Sequence, residues 1–287
     1  MHWLPDEVPL REDISDWNLR LNASEKNLLT QIFRFFTQGD IAVAQGYLHT
    51  YIPLFGHKPE LAMMMSSFAS MEAVHIDAYS LLLDTIGMPE TEYQAFTNYE
   101  AMAAKHEYLS GYGDDTSPRG IAKALAVYSA FTEGLQLFSS FAILLNFPRH
   151  GKMKGMGQIV TWSIRDESLH VSSMIKLFET YINEHPEIWT DDFKKELYDI
   201  CRNMVTLEEA FIDLAFEQGS VEGLTPEDVK GYVHYIADRR LLQLGLKPNY
   251  GVSKNPLTWF DEMVNGVEHA NFFEARATEY SKGNCIW

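Results

Sequence analysis

The chain has 287 residues, 46% apolar and 22% charged, the balance of a folded globule. Its 23 Lys and Arg stand against 40 Asp and Glu, a formal charge of −17. That disfavours nucleic-acid and anionic-membrane binding, since both need clustered positive charge. The two cysteines, Cys201 and Cys285, exclude a disulfide scaffold and a thiolate zinc site and point to a reducing cytoplasm. No run of about 18 uncharged apolar residues suggests a membrane span, and the N-terminus Met1-His2-Trp3-Leu4-Pro5 lacks the basic-then-apolar build of a secretory signal.

The predicted elements are all helical. Ser24 to about Gly46 carries Leu28, Leu29, Ile32, Phe35, Phe36 and Ile41 at three- and four-residue spacings. Glu60 to Ile86 follows a Pro53/Gly56/Pro59 cluster and stops at Gly87-Met88-Pro89, a strong terminator. Ser117-Pro118 opens a helix that runs to Phe147, before Pro148. Gly151 to about Ile182 is next, and Thr190-Asp191-Asp192 and Thr225-Pro226-Glu227-Asp228 read as N-caps with acidic first turns. Strand alternation, internal repeats and low-complexity linkers are absent from the pattern. The expectation is one all-α domain over residues 1–287.

Two helices are apolar on most faces, which places them inside a bundle. Leu61 to Leu83 holds Glu72, His75 and Asp77, and Phe131 to Phe147 holds Glu133 as its charge. A carboxylate in such a helix cannot stay charged without a partner. Glu72-Ala73-Val74-His75 and Glu167-Ser168-Leu169-His170 are two copies of Glu-x-x-His. Residues three apart on a helix share a face, so each copy can present one carboxylate and one imidazole to a metal. Asp40 and Glu133 lie singly on the other two long helices. Four carboxylates carry −4, which neutralises two divalent ions, and oxygen-rich ligation with imidazole suits iron or manganese. This is the ligand arrangement of di-iron carboxylate bundles, with Asp40 in place of one Glu. Read alone, a single Glu-x-x-His is more often a surface pair; two copies in apolar helices beside an isolated Glu133 are not expected by chance. Tyr79, four residues after His75, shares its face; it reads either as a core tyrosine or as a redox-active phenol. Asp166 reads either as a surface acid or as an acceptor that orients a ligand imidazole.

With these residues in place, the chain resembles the small, radical-generating subunit of class I ribonucleotide reductase, a ferritin-like helical bundle with a di-metal carboxylate centre. Phe35-Phe36-Thr37-Gln38-Gly39-Asp40, Met71-Glu72-Ala73-Val74-His75-Ile76-Asp77-Ala78-Tyr79 and Arg165-Asp166-Glu167-Ser168-Leu169-His170 are similar to that family's ligand signatures. Glu133 precedes Glu167 by 34, the family spacing, whereas Asp40 precedes Glu72 by 32, one more than expected. Asn255-Pro256, Asn271-Phe272-Phe273-Glu274 and Thr278-Glu279-Tyr280 resemble its C-terminal segment.

The resemblance implies that Asp40, Glu72 and His75 bind one metal and Glu133, Glu167 and His170 the other, with Glu72 and Glu167 placed to bridge. The pair is expected to be two irons, with Mn/Mn and Mn/Fe as alternatives. It implies a stable radical on Tyr79, an apolar pocket that includes Leu137 and Phe141, and an electron relay through Asp166 and a near-surface Trp3. It also implies a homodimer, a separate large catalytic subunit that reduces ribonucleotides, an N-terminal arm over 1–22 and a C-terminal segment over 250–287. Family members usually carry a C-terminal docking tail with a relay tyrosine; here Tyr280 is the candidate, close to Trp287. The chief rival is an R2-like ligand-binding dimetal oxidase or oxygenase. Those place Glu at the first ligand position and lack a tyrosine at the Tyr79 position, so Asp40 and Tyr79 favour the reductase. An iron-storage cage has a chain about half this length, and a metal-free structural bundle would leave Glu133 buried and unpaired.

Overall fold

The computed structural model describes residues 3–89, 91, 98–110, 112 and 115–269. Cys285 and the segment from Asn271 to Tyr280 lie outside the described residues. The helices are α1 (Arg11–Ser15), α2 (Ala23–Gly46), α3 (Ile52–Phe55), α4 (Pro59–Ile86), α5 (Glu100–Ser110), α6 (Pro118–Ala126), α7 (Phe138–Arg149), α8 (Lys154–Glu184), α9 (Asp191–Ala215), α10 (Pro226–Gln243) and α11 (Thr258–His269). Among the described residues there is no sheet; one isolated bridge pairs Val221 with Leu224.

Helix ends follow local chemistry. Asn22 caps α2, accepting from the Glu25 backbone N–H while the Glu25 carboxylate returns to the Asn22 N–H, a reciprocal capping box. Thr190 caps α9 by accepting from the Phe193 N–H, and Thr225 caps α10 with the full reciprocal box, the Asp228 carboxylate accepting from the Thr225 N–H. Gly87 ends α4 at φ 76°, a left-handed conformation that costs glycine nothing. The start of α8 is capped from a distance. Asp13 accepts from the Gly155 and Met156 N–H groups at 2.9 and 2.8 Å, and Asp16 from Met153 N–H at 2.7 Å. Two carboxylates at a helix N-terminus satisfy its orphan donors and face the positive end of its dipole. The N-terminal residues are thereby fixed to the helix that carries Asp166, Glu167 and His170.

Two expectations shift. The helix from Ser117 does not stop before Pro148; α7 runs to Arg149 with Pro148 inside its last turn. The proline ring packs on Gly157 of α8, where a Cβ would sit 2.7 Å from Pro148 Cγ, so the helices close tightly at that point. Ile41, counted with the apolar stripe of α2, is exposed, while Asp40 is buried. The inward position on that turn is held by the carboxylate, and its neighbour faces out.

The helices α2, α4 and α8, together with the rod from α6 through α7, pack around one contiguous apolar core. That rod contains a π-helical stretch, Val127–Leu137. A second π turn, Tyr47–Tyr51, extends α2. π turns insert a residue into the helical register and are common at functional sites. Within the first, buried Arg240 reaches across from α10 and donates to the Gly134 carbonyl at 2.8 Å. No described helix is long and apolar enough to cross a membrane.

Candidate metal centre

Asp40 on α2, Glu72 and His75 on α4, Glu133 in the π-helical stretch, and Glu167 and His170 on α8 are all buried, none more than 3% exposed. Asp40, Glu72 and His75 bring ligand atoms within 4.8 Å of one another, and so do Glu72, Glu133, Glu167 and His170. The two groups share Glu72. His75 Nδ1 lies 3.2 Å from Glu167 Oε1 and 3.5 Å from Glu72 Oε2; His170 Nδ1 lies 3.1 Å from Glu72 Oε1 and 3.3 Å from Glu167 Oε2. Glu72 and Glu167 thus lie between the two imidazoles, both of which turn Nδ1 towards the carboxylates.

This cluster lacks its own compensation. Asp40 Oδ2, both oxygens of Glu72, Glu133 Oε2, Glu167 Oε2 and His170 Nδ1 are buried with no hydrogen-bond partner. The His170 contacts are close but not aligned for hydrogen bonding. Buried carboxylates in this state need a cation. Their proton affinities express the same deficit. Burial, with the charge of Glu72, drives Asp40 well above the carboxylate range, and burial, with the charge of Glu167, does so for Glu133. Burial opposes charge on His170, yet the adjoining Glu167 and Glu72 raise it to about 10. A donor set of four carboxylates and two imidazoles with orphaned inward lone pairs fits two hard or borderline divalent ions.

The family model described as "Ribonucleotide reductase, small chain" matches residues 1–256. The chain belongs to the ribonucleotide reductase small-chain family. It is 45% identical over 317 residues to the probable ribonucleoside-diphosphate reductase small subunit 376L of invertebrate iridescent virus 6, covering 98% of this chain and 88% of the relative. It is 31% identical to the ribonucleoside-diphosphate reductase subunit beta of Chlamydia pneumoniae, over 100% of this chain and 86% of the relative. The putative class I ribonucleotide reductase of Bacillus halodurans has the same ferritin-like helical bundle, with a TM-score of 0.85 at 23% identity over 91% of this chain and 95% of that one.

The other residues singled out for this small chain lie around the centre. Trp3 Nε1 donates to Asp166 Oδ2 at 2.8 Å, and the same oxygen is 3.4 Å from His75 Nε2. Burial raises the Asp166 carboxyl, but hydrogen bonds from His75, Trp3 and Arg165 outweigh it and hold the group below its ordinary value. Trp3 is only 4% exposed, more enclosed than a near-surface position. Its ring stacks against His75, centroids 6.0 Å apart, and meets Trp162 on another side. Tyr79 is buried, with its hydroxyl 3.4 Å from Ser163 Oγ. Burial, and then the charge of Asp40, pushes its phenol well above the ordinary tyrosine range, so it stays protonated. Phe141 is fully buried in the core cluster that contains Tyr79, and half-buried Leu137 packs against that cluster.

Sequence reasoning passes over three neighbours. Tyr47 donates to Glu133 Oε1 at 2.8 Å. Phe68 lies over His170 at a centroid distance of 4.2 Å. Met71 Sδ is 3.3 Å from His170 Nε2. Phe68 had a readable signal, four residues before Glu72 on one helix face. Tyr47 had little, because it sits where α2 turns π-helical and the 3.6-residue register no longer applies.

Proposed function

We propose that this chain is the radical-generating small subunit of a class I ribonucleoside-diphosphate reductase, storing a tyrosyl radical at Tyr79 and passing the oxidising equivalent to a large catalytic subunit. The reading rests above all on the buried set of six donors, with its partnerless inward oxygens, one helical turn from a buried tyrosine. Asp40, Glu72 and His75 would hold one metal, and Glu133, Glu167 and His170 the other. Iron in both positions is the reading; Mn/Mn and Mn/Fe satisfy the same donors. With dioxygen, the reduced metal pair supplies a one-electron oxidising equivalent inside the bundle.

The protein does the rest. Tyr79 Oη holds its proton until the electron leaves and would then give it to an oxygen of the dioxygen being reduced, so the oxidised side chain ends as a neutral phenoxyl. Neutrality suits an apolar surrounding, which would penalise a charged product. Leu137 and Phe141 keep water and reductants away from the ring, which gives the radical its lifetime. Asp166, hydrogen-bonded to Trp3 and in contact with His75, connects the centre to the relay. Nucleotide binding belongs to the large subunit. The same reading makes residues 1–287 one ferritin-like domain, with an arm over 1–22 and a C-terminal segment over 250–287, acting as a cytoplasmic homodimer that binds neither nucleic acid nor membrane. Asp40 and Tyr79 set it apart from the ligand-binding oxidase reading.

The test is to load metal-free protein separately with Fe, Mn or both, expose it to air, and follow metal content and electron paramagnetic resonance. Two metals per chain and a tyrosyl signal are expected. A chain that takes up no metal overturns the reading.

A further inference from the structure

We propose that Trp162 is the solvent-side end of the electron relay, the ring through which an external one-electron reductant reaches buried Trp3. The inference rests on the function proposed above, in which Asp166 and Trp3 connect the centre to the electron relay.

An electron count creates the need. Reducing one dioxygen to the water level takes four electrons. A pair of divalent ions held by the six donors would supply two on reaching the trivalent state, and Tyr79 would supply one. The fourth comes from outside the centre. Trp3 is the relay residue beside His75 and Asp166, yet it is only 4% exposed, so a soluble reductant has almost no ring surface to meet. Among the described residues, one aromatic ring continues outward from it. The indole of Trp162 lies with its centroid 5.2 Å from that of Trp3, the planes at 53°, in ring contact. Trp162 is partly exposed. It stands on α8 four residues before Asp166, so the same helix places both the hydrogen-bond acceptor of Trp3 and the outer ring against it. Asp13 and Asp16 fix the N-terminal residues to the start of this helix, which holds Trp3 between His75 and Trp162.

The step balances without a proton. Trp162 gives one electron to the oxidised Trp3 indole, which returns to its neutral form. Trp162 is left as the indole radical cation. A one-electron reductant at the surface, such as ascorbate or a ferrous salt, then restores it.

The experiment compares wild-type protein with Trp162→Phe, Trp162→Tyr and Trp3→Phe. Each is loaded with ferrous ion, mixed rapidly with oxygenated buffer at several ascorbate concentrations, and followed by stopped-flow absorbance for the transient indole radical. Metal content is checked in each. The wild type is expected to show a transient whose decay quickens with ascorbate. Trp162→Phe should keep the transient but lose at least about tenfold of the ascorbate dependence. Trp162→Tyr, with an oxidisable ring, should recover much of it. Trp3→Phe should abolish the transient. If Trp162→Phe decays with the same ascorbate dependence as wild type while Trp3→Phe loses the signal, Trp162 is not the entry point and the Trp3 relay stands. If the transient survives in Trp3→Phe, the Trp3 relay itself fails and the role of Trp162 falls with it.

Discussion

The Tyr47 hydroxyl donates to Glu133 Oε1 across 2.8 Å, and Oε2 of the same carboxylate has no partner. One oxygen is thus held by the protein and the other is left for a metal. Fixing a ligand carboxylate in this way sets its orientation before a metal arrives, and losing such a support typically costs about 10–100-fold in metal affinity. Tyr47→Phe should weaken one of two metal sites by about that factor. It should also cost about 1–3 kcal/mol in the metal-free protein by leaving both Glu133 oxygens unpaired. Competitive metal titration and denaturant unfolding read the two effects, and two sites of unchanged affinity would contradict the role.

Glu133→Ala removes a donor that only one of the two clusters contains. It should leave the chain with at least one metal fewer after loading. Glu72 belongs to both clusters, so Glu72→Ala should be the more damaging change. Elemental analysis of loaded, desalted protein distinguishes the two. Equal stoichiometry in wild type and Glu133→Ala would mean that Glu133 faces the core for another reason.

Away from the centre, Lys105 on α5 and Glu208 on α9 form a fully buried ion pair at 2.5 Å, with Ser139 donating to the other Glu208 oxygen. The Lys105 ammonium also sits over the rings of Phe35 and Phe211, 3.8 and 4.3 Å from their centroids. Burial pulls the lysine below its ordinary value despite Glu208. Lys105→Met leaves a buried carboxylate without its cation and should cost about 3–5 kcal/mol. The double change Lys105→Met/Glu208→Leu should recover most of that loss, because no uncompensated charge remains. Urea unfolding of the three proteins checks the ordering.

The helices and the six donors were legible because two physical constraints reinforce each other. The apolar faces of α4 and of the rod that runs from the π-helical stretch into α7 mark burial, and the ionisable residues inside them, Glu72, His75 and Glu133, mark a site. Spacing by three placed each Glu and His on one face. The parts that escaped lie where regular periodicity breaks. Val127–Leu137 and Tyr47–Tyr51 are π-helical, so counting 3.6 residues per turn cannot position Tyr47 beside Glu133. Contacts over long separations were equally hidden. Asp13 lies 142 residues from Gly155, and no local pattern announces that its carboxylate caps α8. Trp3 meeting Trp162 is of the same kind.

Tyr79→Phe separates the proposed radical site from the metal centre. The Tyr79 hydroxyl lies 3.4 Å from Ser163 Oγ, beyond the best range for an O–H···O bond. Losing that contact should cost no more than about 1 kcal/mol, and the ring still fills its place in the core. Metal content should stay at the wild-type level, since Tyr79 is in neither cluster. The long-lived tyrosyl signal should disappear. Ser163→Ala serves as the companion variant. If the radical's lifetime comes from apolar enclosure by residues such as Phe141, removing a long and weak hydroxyl contact should leave the signal in place with little change in decay. A persistent tyrosyl signal in Tyr79→Phe would move the radical to another phenol, with Tyr47 the first to examine because Glu133 Oε1 stands ready to take its proton.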